Sequence, residues 1–210
     1  MKAASIRDAH HLTLSSATGP ARPVFFMARL VLALCLLLIT DVSAGLDLVT
    51  ENPYKVEAAF LRNFAHYVTW PAEAFGDAGS PWRICVLGND PFGRVLEATL
   101  KGRTEQGRSF QVFRADSLDA LPACQIIYVA FADPGRRRAI LRQLRDKPVL
   151  TVGEASEFLQ EGGIIRLQQR ETVQMSVNLD HAREAELTIQ TRMLEVAFEV
   201  VKNGQLRKAR

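Results

Sequence analysis

The chain has 210 residues, 48% hydrophobic and 23% charged, with 13 Gly and 9 Pro, a composition that excludes collagen-like, disordered and multi-span membrane proteins. Its 26 basic and 23 acidic residues leave a net charge of +3, too small and too dispersed for a dedicated nucleic-acid binder.

The first element is an address. Arg29 precedes the uncharged apolar run Leu30 to Ile39, and Asp41-Val42-Ser43-Ala44 follows, with Val42 and Ala44 fitting a small-residue cleavage site before Gly45. A run this short is about half the roughly 20 residues that cross a bilayer. Residues 1–44 are therefore read as a cleaved signal peptide and 45–210 as one exported, periplasmic α/β domain. Met27-Ala28-Arg29 already supplies the charged start of such a signal, so translation is expected to begin at Met27. Cys35 lies inside the apolar run and leaves with it. The remaining chain is nearly neutral and long enough to bury a core without a metal.

Asn52-Pro53 offers a cap and a first-turn proline, and Val56, Ala59, Phe60, Phe64, Tyr67 and Val68 recur at helical spacing until Trp70-Pro71. Trp82 to Leu87 reads as a strand, and Phe92 to Leu100 as a helix after a turn. Ser109 to Arg114 alternates as a strand. Gln125 to Phe131 suits a strand buried on both faces, Asp133-Pro134 caps a helix through Leu144, and Pro148 to Val152 is a further strand. Residues 154–160 read as helical. Ile164 to Gln168 and Thr172 to Asn178, separated by Gln169-Arg170-Glu171, predict an antiparallel hairpin. From Asp180 a helix is expected whose stripe runs through Leu187, Met193, Leu194, Ala197 and Val201. Strands alternating with helices predict a single three-layer domain with a mostly parallel sheet in flavodoxin-like order and a C-terminal antiparallel hairpin.

Several ordered stretches, beginning with Glu57-Ala58-Ala59-Phe60-Leu61-Arg62-Asn63-Phe64-Ala65-His66-Tyr67-Val68-Thr69-Trp70-Pro71, resemble the YfiR-type periplasmic regulators. The resemblance continues through Ile84 to Gly93, the Gly102-Arg103 turn, Cys124 to Val129, Pro148 to Val152 and Gly162-Gly163-Ile164-Ile165. It implies an exported α/β protein that binds the periplasmic domain of an inner-membrane diguanylate cyclase, or another membrane sensor, and holds it inactive. Cyclic di-GMP, and with it biofilm formation, would then be lowered. Some relatives carry a second cysteine pair that is absent here.

After signal removal Cys85 and Cys124 are an even pair in an oxidising compartment, one in the first strand and one just before the third. In a 2-1-3-4 strand order those strands are neighbours, so a disulfide is expected, two separately buried thiols being the alternative. Gly88-Asn89-Asp90-Pro91-Phe92-Gly93 falls where a strand hands over to a helix, which makes Asn89, Asp90 and Arg94 candidate ligand-binding residues. Arg94-Val95 replaces the Lys and Ser/Thr of a phosphate loop, and a structural turn competes with a binding site there. Arg136, Arg137, Arg138, Arg142, Arg145 and Lys147 cluster on one helix, read either as a solvated face or, through Arg137 and Arg138, as a surface that steers an acidic partner. Phe60, Phe64, Tyr67 and Trp70 fit a buried helix face; left exposed, they would suit a homodimer. His66 and His181 do not make a metal site, and the serines lack a nucleophile elbow, so no catalytic residue, metal or cofactor is expected.

Overall fold

The computed structural model describes residues 52–77 and 79–208, so the expected leader, its Ala44-Gly45 cleavage site and Cys35 lie outside the described residues. Helix α1, Pro53–Tyr67, starts where the Asn52 side chain accepts the Tyr54 N–H at 3.0 Å, with Pro53 in the first turn. It buries Glu57, Ala58, Leu61, Phe64 and Ala65. The stripe sits slightly around the helix from the one the larger side chains suggest: small Ala58 and Ala65 allow close approach to the sheet, while Phe60 and Tyr67 pack at its edge.

Chain order continues through β1 (Val68–Thr69), β2 (Trp82–Gly88), α2 (Arg94–Leu100), β3 (Thr104–Glu105), β4 (Arg108–Ala115), β5 (Ile126–Ala130), α3 (Pro134–Leu144), β6 (Leu150–Gly153), β7 (Ile165–Gln169) and β8 (Val173–Asn178). The last elements are α4 (Leu179–Glu184), β9 (Thr188–Ile189), α5 (Thr191–Glu195), β10 (Glu199–Lys202) and β11 (Gln205–Lys208). Nine strands form one sheet in the order β11-β10-β8-β7-β6-β5-β2-β4-β3. Strands β4, β2, β5, β6 and β7 are parallel neighbours, the doubly wound order predicted from the alternation, and β7 and β8 form the predicted antiparallel hairpin.

Side chains alternate across the sheet as the pleat requires. Trp82, Ile84 and Val86 of β2 and Ile126 and Tyr128 of β5 face the layer of α1, α2, α4 and α5; Cys85, Leu87, Ile127 and Val129 face α3 through Ile140, Leu141 and Leu144. Trp70 and Trp82 meet edge to face at 5.0 Å, and each indole N–H donates to a backbone carbonyl, of Gln125 and Glu105 respectively.

Two expectations fail. Residues 154–155 are irregular and 156–160 are turns, not helix. The long C-terminal helix is instead two short helices and three strands. Asn178 caps α4 by accepting from the N–H groups of Asp180 and His181, and Glu186 at φ +57° ends that helical run. β9 then pairs antiparallel with β1, tying the end of α1 to the C-terminal layer. Asn203 and Gly204, at φ +53° and +69°, make the two-residue turn of the β10–β11 hairpin. The Asp180 carboxylate accepts both of their N–H groups, at 2.9 and 2.8 Å.

Candidate functional site at the strand switch point

From β2 the chain crosses outward to β4 and then back over to β5, so the carboxyl ends of β2 and β5 flank the point at which winding reverses. Open α/β sheets bind ligands there because the diverging connections leave a crevice. In this chain the crevice is a cleft of about 390 Å³ lined by Asn89 and Pro91 after β2, Tyr128 to Ala132 at the end of β5, Arg137 of α3, Glu154 and Ala155 after β6, and Tyr54 from α1. Gly88 makes the corner possible. It has φ +103°, and a Cβ there would stand 2.6 Å from the Phe131 ring.

Behind the wall of this cleft lies a buried polar cluster. Glu57 is fully buried; it accepts the Tyr128 hydroxyl on Oε2 and the Gln169 amide on Oε1, both at 3.0 Å, and the same amide donates to Glu154 at 3.1 Å. Burial pushes the Glu57 carboxyl up to about 7, opposed by the Gln169 hydrogen bond and reinforced by the neighbouring Glu154 charge. The Tyr54 and Tyr128 hydroxyls are also pushed up, by burial first and then by nearby carboxylates. The Glu57 carboxyl can therefore take up or release a proton near neutral pH as the charge around it changes. The cleft therefore combines a concave wall, aromatic faces and amide and hydroxyl groups, with the raised acid of Glu57 buried behind it, features that suit a small polar ligand.

Of the three residues singled out in the turn, only Asn89 lines the cleft. Asp90 organises the turn: its carboxylate accepts the N–H groups of Phe92 and Gly93 and the Arg114 Nε at 2.6 Å. Arg94 is exposed at the start of α2. Sequence reasoning missed Tyr54, Glu57, Tyr128, Glu154 and Gln169. The available signal was Glu57 itself, an acid at helical spacing with Leu61 and Phe64, which a core tolerates only with partners.

Cys85 and Cys124 form a disulfide, with Cα atoms 6.2 Å apart and both residues buried against α3. It links β2 to the segment entering β5, the two strands whose ends carry the cleft. On α3 the two candidate arginines part company. Arg138 is about half exposed, whereas Arg137 is only 5% exposed. Its guanidinium takes both Glu161 oxygens, at 2.7 and 2.9 Å, and the carbonyls of Phe131 and Ala132, at 3.0 and 2.6 Å. Arg137 thus faces inward and braces the loop after β5 instead of standing on an open basic face. Among the described residues no group of three or more His, Cys, Asp or Glu side chains is placed to hold a metal ion, and no helix is long and apolar enough to cross a membrane.

These features define a disulfide-braced, three-layer α/β domain with a crevice at its switch point. The match to known families agrees with the ordered motifs: the model of the YfiR/HmsC-like family covers residues 54–198, well over half of the chain, and the protein belongs to that family. No curated protein matches it.

Proposed function

We propose that this chain is an exported, non-enzymatic regulator that binds the periplasmic domain of an inner-membrane diguanylate cyclase and stabilises its inactive conformation, lowering cyclic di-GMP. The observation that carries this reading is membership of the YfiR/HmsC-like family over residues 54–198. The apolar run ending before Ala44-Gly45 supports export, and the Cys85–Cys124 disulfide suits an oxidising compartment. Repression needs no chemistry. Moving a receptor from 99% active to 99% inactive takes a difference of about 5.5 kcal/mol in affinity between its two states, within the range of a protein interface. The test is reconstitution of the exported protein with full-length membrane diguanylate cyclases of the same cell in proteoliposomes, added on the side of their periplasmic domains. Saturable binding that lowers cyclase turnover is expected, and binding without any effect on turnover would contradict the reading.

A second reading, a periplasmic small-ligand sensor, is favoured by one observation, the cleft at the switch point with Asn89 on its wall. A small-molecule screen by melting temperature should then find a saturable rise that Asn89→Ala removes and Arg94→Ala, remote from the cleft, leaves in place. On this reading Arg138 and the other exposed arginines of α3 remain a solvated face; on the first they speed the approach of an acidic receptor.

A further inference from the structure

The nine-stranded sheet ends in β11, a strand bonded to β10 on one side and, among the described residues, unpaired on the other. Every residue from Gln205 to Lys208 is exposed. An open strand edge is a row of unpaired N–H and C=O groups, which templates a further strand unless something blunts it. Here the edge is rigid: the Asn203-Gly204 turn is pinned to Asp180 by two hydrogen bonds, and β10 is held in parallel register by β8.

The corner is also apolar. Val196, Phe198 and Leu206, exposed by 71%, 36% and 53%, are the exposed large hydrophobic side chains among the described residues, and all three belong to the segment that builds this edge. The exposed charges of the hairpin itself are cations, with the Asp180 carboxylate engaged by the turn's two N–H groups. Lys202, Arg207 and Lys208 are exposed, while the hairpin's acid, Glu199, turns inward to Arg166 at 3.0 Å. The β10–β11 hairpin, with Leu206 and the three cations, lies beyond residues 54–198, whereas Val196 and Phe198 fall within them.

Cations on an edge strand discourage pairing with an identical copy, because antiparallel two-fold pairing would bring Arg207 and Lys208 close to their own counterparts. The same cations attract an acidic strand. We propose that β11 is a docking edge, to which an extended, acidic segment of a partner protein adds as a tenth strand, with apolar side chains over Leu206 and carboxylates beside Arg207 and Lys208. This specifies how a protein partner would be held and does not depend on that partner being a cyclase.

The test uses the protein purified from the periplasm, panned against a random dodecapeptide library, with the enriched peptides resynthesised and titrated by fluorescence anisotropy at low and high salt. Two edge variants are compared, Leu206→Pro, which removes a backbone donor, and the double substitution Arg207→Glu and Lys208→Glu, with Arg142→Glu on α3 as a control. Circular dichroism checks that all of them are folded. The expected result is enrichment of acidic, strand-forming peptides whose affinity falls with salt and drops at least about tenfold in both edge variants but not in the control. No enrichment, enrichment of peptides without acidic residues, or equal affinity for the edge variants would overturn the proposal. So would binding to phosphatidylethanolamine/phosphatidylglycerol vesicles, but not to peptides, that is lost on charge reversal, since the edge would then be a membrane contact. A concentration-dependent dimer lost in Leu206→Pro, with no peptide bound, would make it a self-interface. The readout involves no cyclic di-GMP, so failure here and failure of the repressor reading are told apart.

Discussion

Glu57 makes folding stability depend on pH in a direction opposite to that of an ordinary ion-paired acid. In the unfolded chain its carboxyl releases a proton near 4.5; in the folded chain burial holds it to about 7. Between these values the folded state binds more protons than the unfolded one, so stability falls as pH rises through the window and is fully retained below it. At about 1.4 kcal/mol per pH unit, the interval corresponds to a loss of about 3 kcal/mol. The perturbation is Glu57→Gln, which resembles the protonated acid in shape and in having one acceptor oxygen for Tyr128 or Gln169, yet cannot ionise. Urea unfolding of both proteins from pH 5 to pH 8, followed by circular dichroism, should show the wild type losing stability while the variant stays nearly level. At pH 8 the variant should be the more stable by up to about 3 kcal/mol. Parallel profiles would refute the assignment of a buried, proton-binding Glu57.

Other side chains give sharper local tests. Replacing both Cys85 and Cys124 by Ser releases a loop closed across 39 residues and should cost about 4 kcal/mol, lowering the melting temperature by about 10 °C, with the same drop in wild type after full reduction. Arg137→Ala leaves the buried Glu161 carboxylate with only the more distant Arg138, at 3.7 Å, and should cost about 3 kcal/mol in urea unfolding, whereas Arg138→Ala should change stability by less than about 1 kcal/mol. Gly163→Ala places a Cβ 2.2 Å from two Phe158 ring carbons and 2.8 Å from its carbonyl oxygen, so a destabilisation of at least about 1–3 kcal/mol is expected by the same measurement.

The parallel centre of the fold was legible because its strands are short apolar runs flanked by caps that leave little choice: Asn52-Pro53 and Asp133-Pro134 cap α1 and α3 as expected, Asp133 accepting the Arg136 N–H at 2.6 Å. The C-terminal region was not, because Leu187, Met193, Ala197 and Val201 fit a helical stripe while stronger local signals interrupt it. Asn203-Gly204, flanked by Val200-Val201 and Leu206, is a two-residue hairpin turn, and turn geometry outweighs a helical count there. The site was half legible. Strand alternation located the switch point and Asn89, but the rest of the cleft's polar lining comes from α1, β5, α3 and the loop after β6, which only the sheet order brings together. Arg137 looked like its arginine neighbours, and its inward turn depends on Glu161, 24 residues away.

The central claim is repression from the periplasm, and the most direct measurement is intracellular cyclic di-GMP in a strain lacking the gene, complemented with the full precursor or with a version missing residues 30–44. A rise on deletion that only the exported form reverses is the predicted result. An unchanged level, or reversal by the form that cannot be exported, would contradict it.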